Sequence, residues 1–182
     1  MRFKSLDTFK ECKIYTPDLF IDERGYFTEI FRYEDFDVDF IQDNESRSNV
    51  GVIRGMHWQV SPYGQDKLVR VPSGSIIDVV VDIRKNSPTF GQFETVYLSS
   101  NNKSQLFIPK GFAHGFLALE SSIVLYKCSN VYNKKSERSL NPFSIGLDWK
   151  GLFFGYTGGE MTKFFLSEKD INAPDIKDII PY

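Results

Sequence analysis

Histidine is the residue best suited to move protons in this sequence, and the 182-residue chain contains only two, His57 and His114. His57 lies in the segment RGMHWQ and His114 in the segment IPKGFAHGF. An imidazole with a pKa of about 6.5 is partly neutral at cellular pH and can accept a proton as a general base. A lone histidine on a strand can equally be a packed, hydrogen-bonded core residue. A site built on three histidines is impossible.

The elements that must position these residues are short strands, because 15% of the chain is aromatic and turn signals recur at short intervals. Hydrophobic periodicity predicts strands at 26–31, 52–59, 67–71, 75–84, 93–98, 104–108, 115–119 and 123–130. Helical turns are predicted only at 33–36 and 167–170, and no long amphipathic helix is predicted. This pattern indicates an all-β fold, a barrel or sandwich of antiparallel strands.

The clearest period-two alternation runs from residue 75 to residue 84. One face is apolar and the other carries two acids; the residues are Ile77, Val79, Val81 and Ile83 on the first face, and Asp78, Val80 and Asp82 on the second. The segment therefore predicts a strand that buries one face and presents carboxylates on the other.

Length and composition narrow the function classes. A chain of 182 residues with 41% hydrophobic residues predicts one domain over 1–182. The net charge of −2, with no basic block, argues against nucleic acid as a partner.

Cys12 and Cys128 lie far apart and form no CxxC motif, which fits a reducing compartment. No secretory signal or membrane-spanning apolar run is evident, so the predicted location is cytoplasmic, without membrane contact.

Several motifs carry a resemblance to known proteins. The PxGxxH spacing within 108–116 resembles the second cupin motif, but RGMHWQ has a single histidine where metal-binding cupins have HxH, so no metal centre is expected. DERGYFTE (22–29), QDN (42–44), RGMHWQ (54–59), QDKLVRV (65–71), VDIRKNSPTFGQ (81–92) and IPKGFAHGF (108–116) occur in order. Together they resemble the dTDP-4-dehydrorhamnose 3,5-epimerase family over about residues 17–174. The resemblance implies a cupin-type jelly roll and a homodimer.

The resemblance also implies an activity. Such an enzyme inverts carbons 3 and 5 of a nucleotide-linked 4-keto-6-deoxy sugar, with no metal or redox cofactor. The ketone at carbon 4 acidifies the protons on both neighbouring carbons, so a base can remove one and leave an enolate that is reprotonated from the other side. The reaction therefore requires a base, a partner for the oxyanion and an acid.

Four residues match the family's catalytic positions. His57 corresponds to the base, and Asp170 to the acid that hydrogen-bonds it. Lys67 corresponds to the cation near the keto oxygen, and Tyr126 to the phenol that reprotonates the opposite face of the ring. Judged singly, each is more often an ordinary surface or core residue.

The remaining site residues are implied substrate contacts. His114 would be a second polar contact near the sugar, with Asp82 as a candidate to orient it. Guanidinium groups suit a diphosphate because they donate paired hydrogen bonds. The other positions that match the family's nucleotide and sugar contacts are Arg24, Glu29, Gln42, Asn44, Arg54, Tyr132, Glu137 and Lys169.

One geometric conflict yields a prediction about the backbone. Arg54 and His57 are three residues apart and would point to opposite faces of a regular strand. If both line one pocket, a β-bulge at Gly55 or Met56 must re-aim one of them.

Other functions stay open at this stage. Relatives could use a GDP or CDP carrier, act on keto-heptoses or invert one carbon only. A second class is a sugar-nucleotide ketoisomerase, and a third is a non-catalytic sugar-nucleotide-binding cupin. The joint presence of His57, Lys67, Tyr126 and Asp170 argues against a non-catalytic binding cupin. The presence of Tyr126 and Asp170 favours double inversion.

Overall fold

The structure, a computed structural model, describes residues 2–182 and consists mainly of two antiparallel β-sheets. The first sheet contains, in spatial order, β1 (Arg2–Ser5), β2 (Lys13–Thr16), β10 (Gln105–Ile108), β7 (Lys67–Ser73), β12 (Ser122–Cys128) and β5 (Gln42–Ser48). The second contains β13 (Glu137–Ser139), β6 (Ile53–Gln59), β11 (Phe112–Ala118), β8 (Ser75–Asp82) and β9 (Phe93–Ser99). A separate hairpin joins β3 (Phe20–Asp22) to β4 (Gly25–Phe27). The predicted all-β, jelly-roll class is confirmed.

Strand β8 lies in the middle of the packing, and all eight of its residues are buried. Ile76 and Val80 pack in the cluster that fills the space between the sheets. Ile77 and Val79 pack on the opposite face, against the C-terminal part of the chain. The predicted alternation is therefore correct, and the acidic face of β8 points into the interior between the sheets.

Helices are few. The predicted turns appear as a 3₁₀ turn at Tyr33–Asp35 and as α2 (Glu168–Ile171), which Ser167 caps. An unpredicted helix, α1 (Trp149–Thr157), begins at the Asp148 cap and ends at Gly158. Its two internal glycines weaken the helical signal in the sequence, and burial of Trp149 and Phe153 against the second sheet supplies the missing stabilisation. No helix among residues 2–182 is long and apolar enough to cross a membrane.

Five strands were not predicted: β1, β2, β3, β5 and β13. The most informative is β5, whose sequence QDNESRS contains no aromatic or β-branched residue. Its alternate residues Gln42, Asn44, Ser46 and Ser48 are more buried than their neighbours. A strand with a polar inner face escapes a hydrophobicity pattern, and such a face suits a wet cavity rather than a core.

Candidate active site

Two adjoining cavities, of about 460 and 450 Å³, occupy the interior between the sheets. His57, Lys67 and Tyr126 line both. We call the one that also contains Asp170 and His114 the first cavity, and the one that also contains Tyr132 and Glu137 the second cavity. The imidazole of His57 comes from the second sheet, whereas Lys67 and Tyr126 come from the first. The cavity is thus built from both layers.

The backbone irregularity that the spacing required is present. Strand β6 advances three residues between Arg54 and His57, while its partner β11 advances two. Gly55 has φ +116° and lies so close to Gly115 that a Cβ on Gly55 would be 2.6 Å from the Gly115 Cα. Only glycine tolerates this conformation and approach. Arg54 and His57 consequently both line the first cavity, and the predicted bulge is confirmed.

His57 and Asp170 form a hydrogen-bonded pair. His57 Nε2 lies 2.6 Å from Asp170 Oδ1, and the two side chains are 30% and 4% exposed. Burial alone would raise the pKa of Asp170, but hydrogen bonds from His57, Ser167 and the Gly55 N–H hold that pKa below its usual value. An ionised carboxylate only accepts, so Nε2 must donate its proton to it. The Nδ1 atom of His57 is left as the basic nitrogen.

Lys67 and Tyr126 project from the neighbouring strands β7 and β12. Burial lowers the pKa of Lys67, and within residues 2–182 no carboxylate oxygen lies within 4.0 Å of its Nζ. Burial raises the pKa of Tyr126, so its phenol retains the proton at neutral pH. The pair supplies an amine without a fixed carboxylate partner and a weak acid.

His114 has a different acidic partner from the predicted one. The register places His114 opposite Val80, between Asp78 and Asp82. Asp82 is occupied by Arg84 Nε at 3.0 Å and by the hydroxyl groups of nearby residues, whereas Asp78 Oδ2 lies 2.8 Å from His114 Nε2. The assignment of Asp82 was therefore wrong, and Asp78 is the residue that the sequence reasoning missed. Its position on the acidic face of β8 was the available signal.

The His114–Asp78 pair is enclosed, with side chains 8% and 0% exposed. Burial raises the pKa of Asp78 and lowers that of His114, so both shifts favour the uncharged pair. At neutral pH His114 is therefore a neutral hydrogen-bonding group at the wall of the first cavity. It lies directly opposite His57 in the β6–β11 register.

The second cavity has a connected polar lining. The Tyr132 N–H donates to Gln42 Oε1 at 2.8 Å, and Gln42 Nε2 donates to Asn44 Oδ1 at 2.9 Å. The Tyr132 hydroxyl donates to Glu137 at 3.0 Å, and Lys169 Nζ lies 2.6 Å from the other oxygen of Glu137. Burial alone would raise the pKa of Glu137, but the hydrogen bonds from Lys169 and Tyr132 lower it. Gln42, Asn44, Tyr132 and Glu137 form one preorganised wall of the cavity, and Lys169, which does not line it, anchors Glu137.

Three predicted contacts line neither cavity: Lys169, which is connected to the second cavity only through Glu137, and Arg24 and Glu29, which lie elsewhere. Arg24 sits on the β3–β4 hairpin, where its guanidinium pairs with Asp22 at 2.6 Å. Glu29 pairs with Arg32 at 2.8 Å. Neither residue lines the first or second cavity of its own chain.

The structure shows no group of side chains suited to a metal ion among residues 2–182, since no three His, Cys, Asp or Glu residues there stand close enough together. Cys12 and Cys128 are both buried free thiols, and Cys128 lines the second cavity.

Comparisons with known proteins show which family the chain resembles. A family model described as dTDP-4-dehydrorhamnose 3,5-epimerase matches residues 7–178. The chain is 44% identical over 174 residues to the dTDP-4-dehydrorhamnose 3,5-epimerase of Shigella flexneri, covering 91% of each protein.

Solved structures give the same answer. A dTDP-6-deoxy-D-glucose-3,5-epimerase of Legionella pneumophila, in complex with dTDP-4-keto-L-rhamnose, superposes with a TM-score of 0.88 at 39% identity, covering 98% of this chain and 94% of that one. A 3'-monoepimerase of Streptomyces bikiniensis, in complex with dTDP-quinovose, has a TM-score of 0.85 at 31% identity, covering 96% and 87%. The chain therefore belongs to the dTDP-4-dehydrorhamnose 3,5-epimerase family.

Proposed function

We propose that this protein inverts carbons 3 and 5 of dTDP-4-dehydro-6-deoxyglucose to give dTDP-4-dehydrorhamnose, with no metal or redox cofactor. The observation that carries the proposal is one cavity lined by a histidine–carboxylate pair from one side and a phenol from the other sheet. The Legionella relative, solved with dTDP-4-keto-L-rhamnose, supports the choice of carrier and sugar.

The first step is proton removal. Nδ1 of His57 takes the proton from the carbon next to the ketone, and the electron pair moves onto the carbonyl oxygen as an enolate. Asp170 stabilises the imidazolium that forms, because the carboxylate is already ionised and in hydrogen-bond contact. The ammonium of Lys67 stabilises the enolate oxygen, and His114 adds a neutral donor or acceptor beside it.

The second step is reprotonation from the opposite face. The Tyr126 hydroxyl donates its proton to the carbanionic carbon, which restores the ketone and inverts that centre. Solvent then returns a proton to the phenolate and removes one from His57. A second passage at the other carbon completes the double inversion.

The nucleotide occupies the remaining volume in this proposal. Tyr132, with its exposed ring, and the polar side chains Gln42, Asn44 and Glu137 receive the nucleoside in the second cavity. Arg54, whose Nε donates to Ser48 at 2.8 Å, faces the first cavity and binds the diphosphate. Lys169 balances the negative charge of Glu137 through their ion pair.

Arg24 and Glu29 are proposed to contact the substrate of a partner subunit. The β3–β4 hairpin that carries Arg24 exposes four large apolar side chains, Phe20, Ile21, Tyr26 and Phe27, each at least 57% exposed. Such a patch on a polar-surfaced protein marks an interaction surface. A homodimer in which the hairpin packs on the second copy covers the patch and brings a guanidinium and a carboxylate to a neighbouring site. Chromatography of the purified protein tests the dimer.

The chain is further proposed to act as one domain over 1–182, in the cytoplasm. The family match covers residues 7–178, and the two sheets draw their strands from interleaved segments of residues 2–139. Two buried free thiols suit a reducing compartment.

Solvent deuterium tests the proposed reaction. Incubation of dTDP-4-dehydro-6-deoxyglucose with the protein in heavy water should introduce deuterium at carbons 3 and 5. Label at carbon 3 alone would indicate the single inversion of the Streptomyces relative. No exchange with the dTDP, GDP or CDP forms of the sugar would leave a binding protein.

A further inference from the structure

Helix α2 carries the carboxylate that orients the base, yet it has little to hold it in place. It is one turn long, and Asp170 is the only buried residue among its four. A single turn does not persist by propensity, and α2 buries no apolar side chain that would dock it. The segments on either side of α2 are anchored, because Phe165 accepts a hydrogen bond from the Ile53 N–H and Pro174 accepts one from the Asn141 N–H. The orientation of the turn between these anchors therefore depends on the polar contacts of its own side chains.

Two consecutive residues of α2 make such contacts. Asp170 Oδ1 lies 2.6 Å from His57 Nε2 on β6, and Lys169 Nζ lies 2.6 Å from Glu137 Oε1 on β13. Neighbouring residues on a helix point about 100° apart, so the two contacts restrain α2 in different directions. Together they resist rotation of the turn, which either contact alone would permit.

The receiving residues lie on one surface of the second sheet. Strand β13 pairs with β6, with Ser139 opposite His57 and Glu137 opposite Gln59. Residues two apart on a strand share a face, so Glu137 and His57 project to the same side of the sheet. Lys169 and Asp170 are consecutive residues of α2. A displacement of Lys169 relative to Glu137 therefore also displaces Asp170.

The second oxygen of Glu137 is also held. It accepts a hydrogen bond from the Tyr132 hydroxyl at 3.0 Å, and the Tyr132 backbone N–H is bound to Gln42. The anchor for Lys169 is thus part of the second-cavity wall. Through it, the wall that receives the nucleotide is connected to the orienting carboxylate.

We propose that the Lys169–Glu137 ion pair positions α2, and through it holds Asp170 against the His57 imidazole. Both are positioning residues in this respect, in addition to any contact with the nucleotide; the inference rests on the proposed epimerase function. Through this pair, the orientation of Asp170 toward the His57 imidazole depends on Glu137 in the wall of the second cavity.

The test uses Lys169→Met, with Lys127→Met as the matched control. Lys127 forms a comparable pair with Asp43, at 2.8 Å, and neither of these two residues lines the first or second cavity. The Lys169→Met variant should lower kcat for double inversion about tenfold, because a small displacement of an orienting group reduces turnover. The control should leave kcat unchanged. A rise in KM with kcat unchanged would overturn the proposal, because it would show that Lys169 only contacts the substrate.

A readout without substrate separates this proposal from the proposed function. Only two histidines are present, so the downfield ring N–H proton of His57 can be assigned by its loss in His57→Asn. In ligand-free Lys169→Met that resonance should broaden or disappear through faster exchange with water, while the His114 resonance persists. An intact His57 resonance refutes the positioning role, whether or not the protein is an epimerase.

Exchange of the two charges between Lys169 and Glu137 gives a third test. The double variant Lys169→Glu with Glu137→Lys restores an ion pair between the same two elements but reverses the charges offered to a nucleotide. Positioning predicts that the His57 resonance returns in the ligand-free double variant and that the two substitutions couple strongly. A double variant that behaves as the sum of its single variants contradicts the proposal.

Discussion

Replacement of Asp170 by Asn is the most direct test of the base. The substitution keeps the size of the side chain but removes the charge that lies 2.6 Å from His57 Nε2. With charge centres about 4 Å apart and an effective dielectric constant of about 20, the carboxylate stabilises the imidazolium by about 4 kcal/mol. The His57 side chain is 30% exposed, and solvent screening reduces this to about 3 kcal/mol. The expected loss in kcat is roughly a hundredfold.

The assay is the rate of deuterium entry at carbons 3 and 5, followed by proton NMR, together with calorimetric binding of dTDP. Binding should be unchanged, since the nucleoside occupies the second cavity, which Asp170 does not line, and Arg54, the proposed diphosphate contact, is held by Ser48 and the Arg47 carbonyl rather than by Asp170. Both exchange rates should fall together, because one base serves both carbons. Exchange within about threefold of the unmodified protein would refute the orienting role of Asp170, and a loss of dTDP binding would indicate that the substitution disturbs α2 as a whole.

Three further perturbations have defined outcomes. Tyr126→Phe removes the phenolic proton but keeps the ring, so proton removal by His57 should continue while inverted product falls at least tenfold, measured by comparing exchange with product formation. Gly55→Ala places a Cβ 2.6 Å from the Gly115 Cα at φ +116°, so the free energy of unfolding in urea should fall by about 2 kcal/mol or more; an unchanged value would contradict the close approach. Burial alone would raise the pKa of Asp82, but hydrogen bonds, led by that from Arg84, lower it from 3.8 to about 2. Because the folded pKa is the lower one, Asp82 should stabilise the fold by about 2 kcal/mol above pH 3.8 and lose this as the pH falls through 2; urea unfolding of Asp82→Asn should show a deficit at pH 7 that vanishes near pH 2.

Much of the site could be predicted because its motifs are contiguous. The segments around His57, Lys67 and Tyr126 each lie on one strand, and their roles were expected because these positions match those of the family that the motifs resemble. The bulge at Gly55 followed from the three-residue spacing of Arg54 and His57 together with the resemblance, which implies that both line one pocket.

Other parts could not be predicted, for identifiable reasons. Strand β5 has a polar inner face because it lines a cavity, and hydrophobicity patterns detect faces that pack against a core. Helix α1 contains two glycines and forms because Trp149 and Phe153 bury against the second sheet. Both elements depend on surroundings that lie far away in the sequence.

The sequence by itself determined which chemical groups are available to the site. These are two imidazoles and no third, a lysine and a phenol on apolar strands, and an acidic face on β8. The tertiary structure decided which groups meet. Pairing with β11 places His114 opposite Val80, and the turn after β8 binds Asp82 through Arg84, so only Asp78 remains for the imidazole. The reason is physical: side-chain alternation is a local property of the backbone, whereas strand register and competition between hydrogen-bond partners arise only when distant segments pack together.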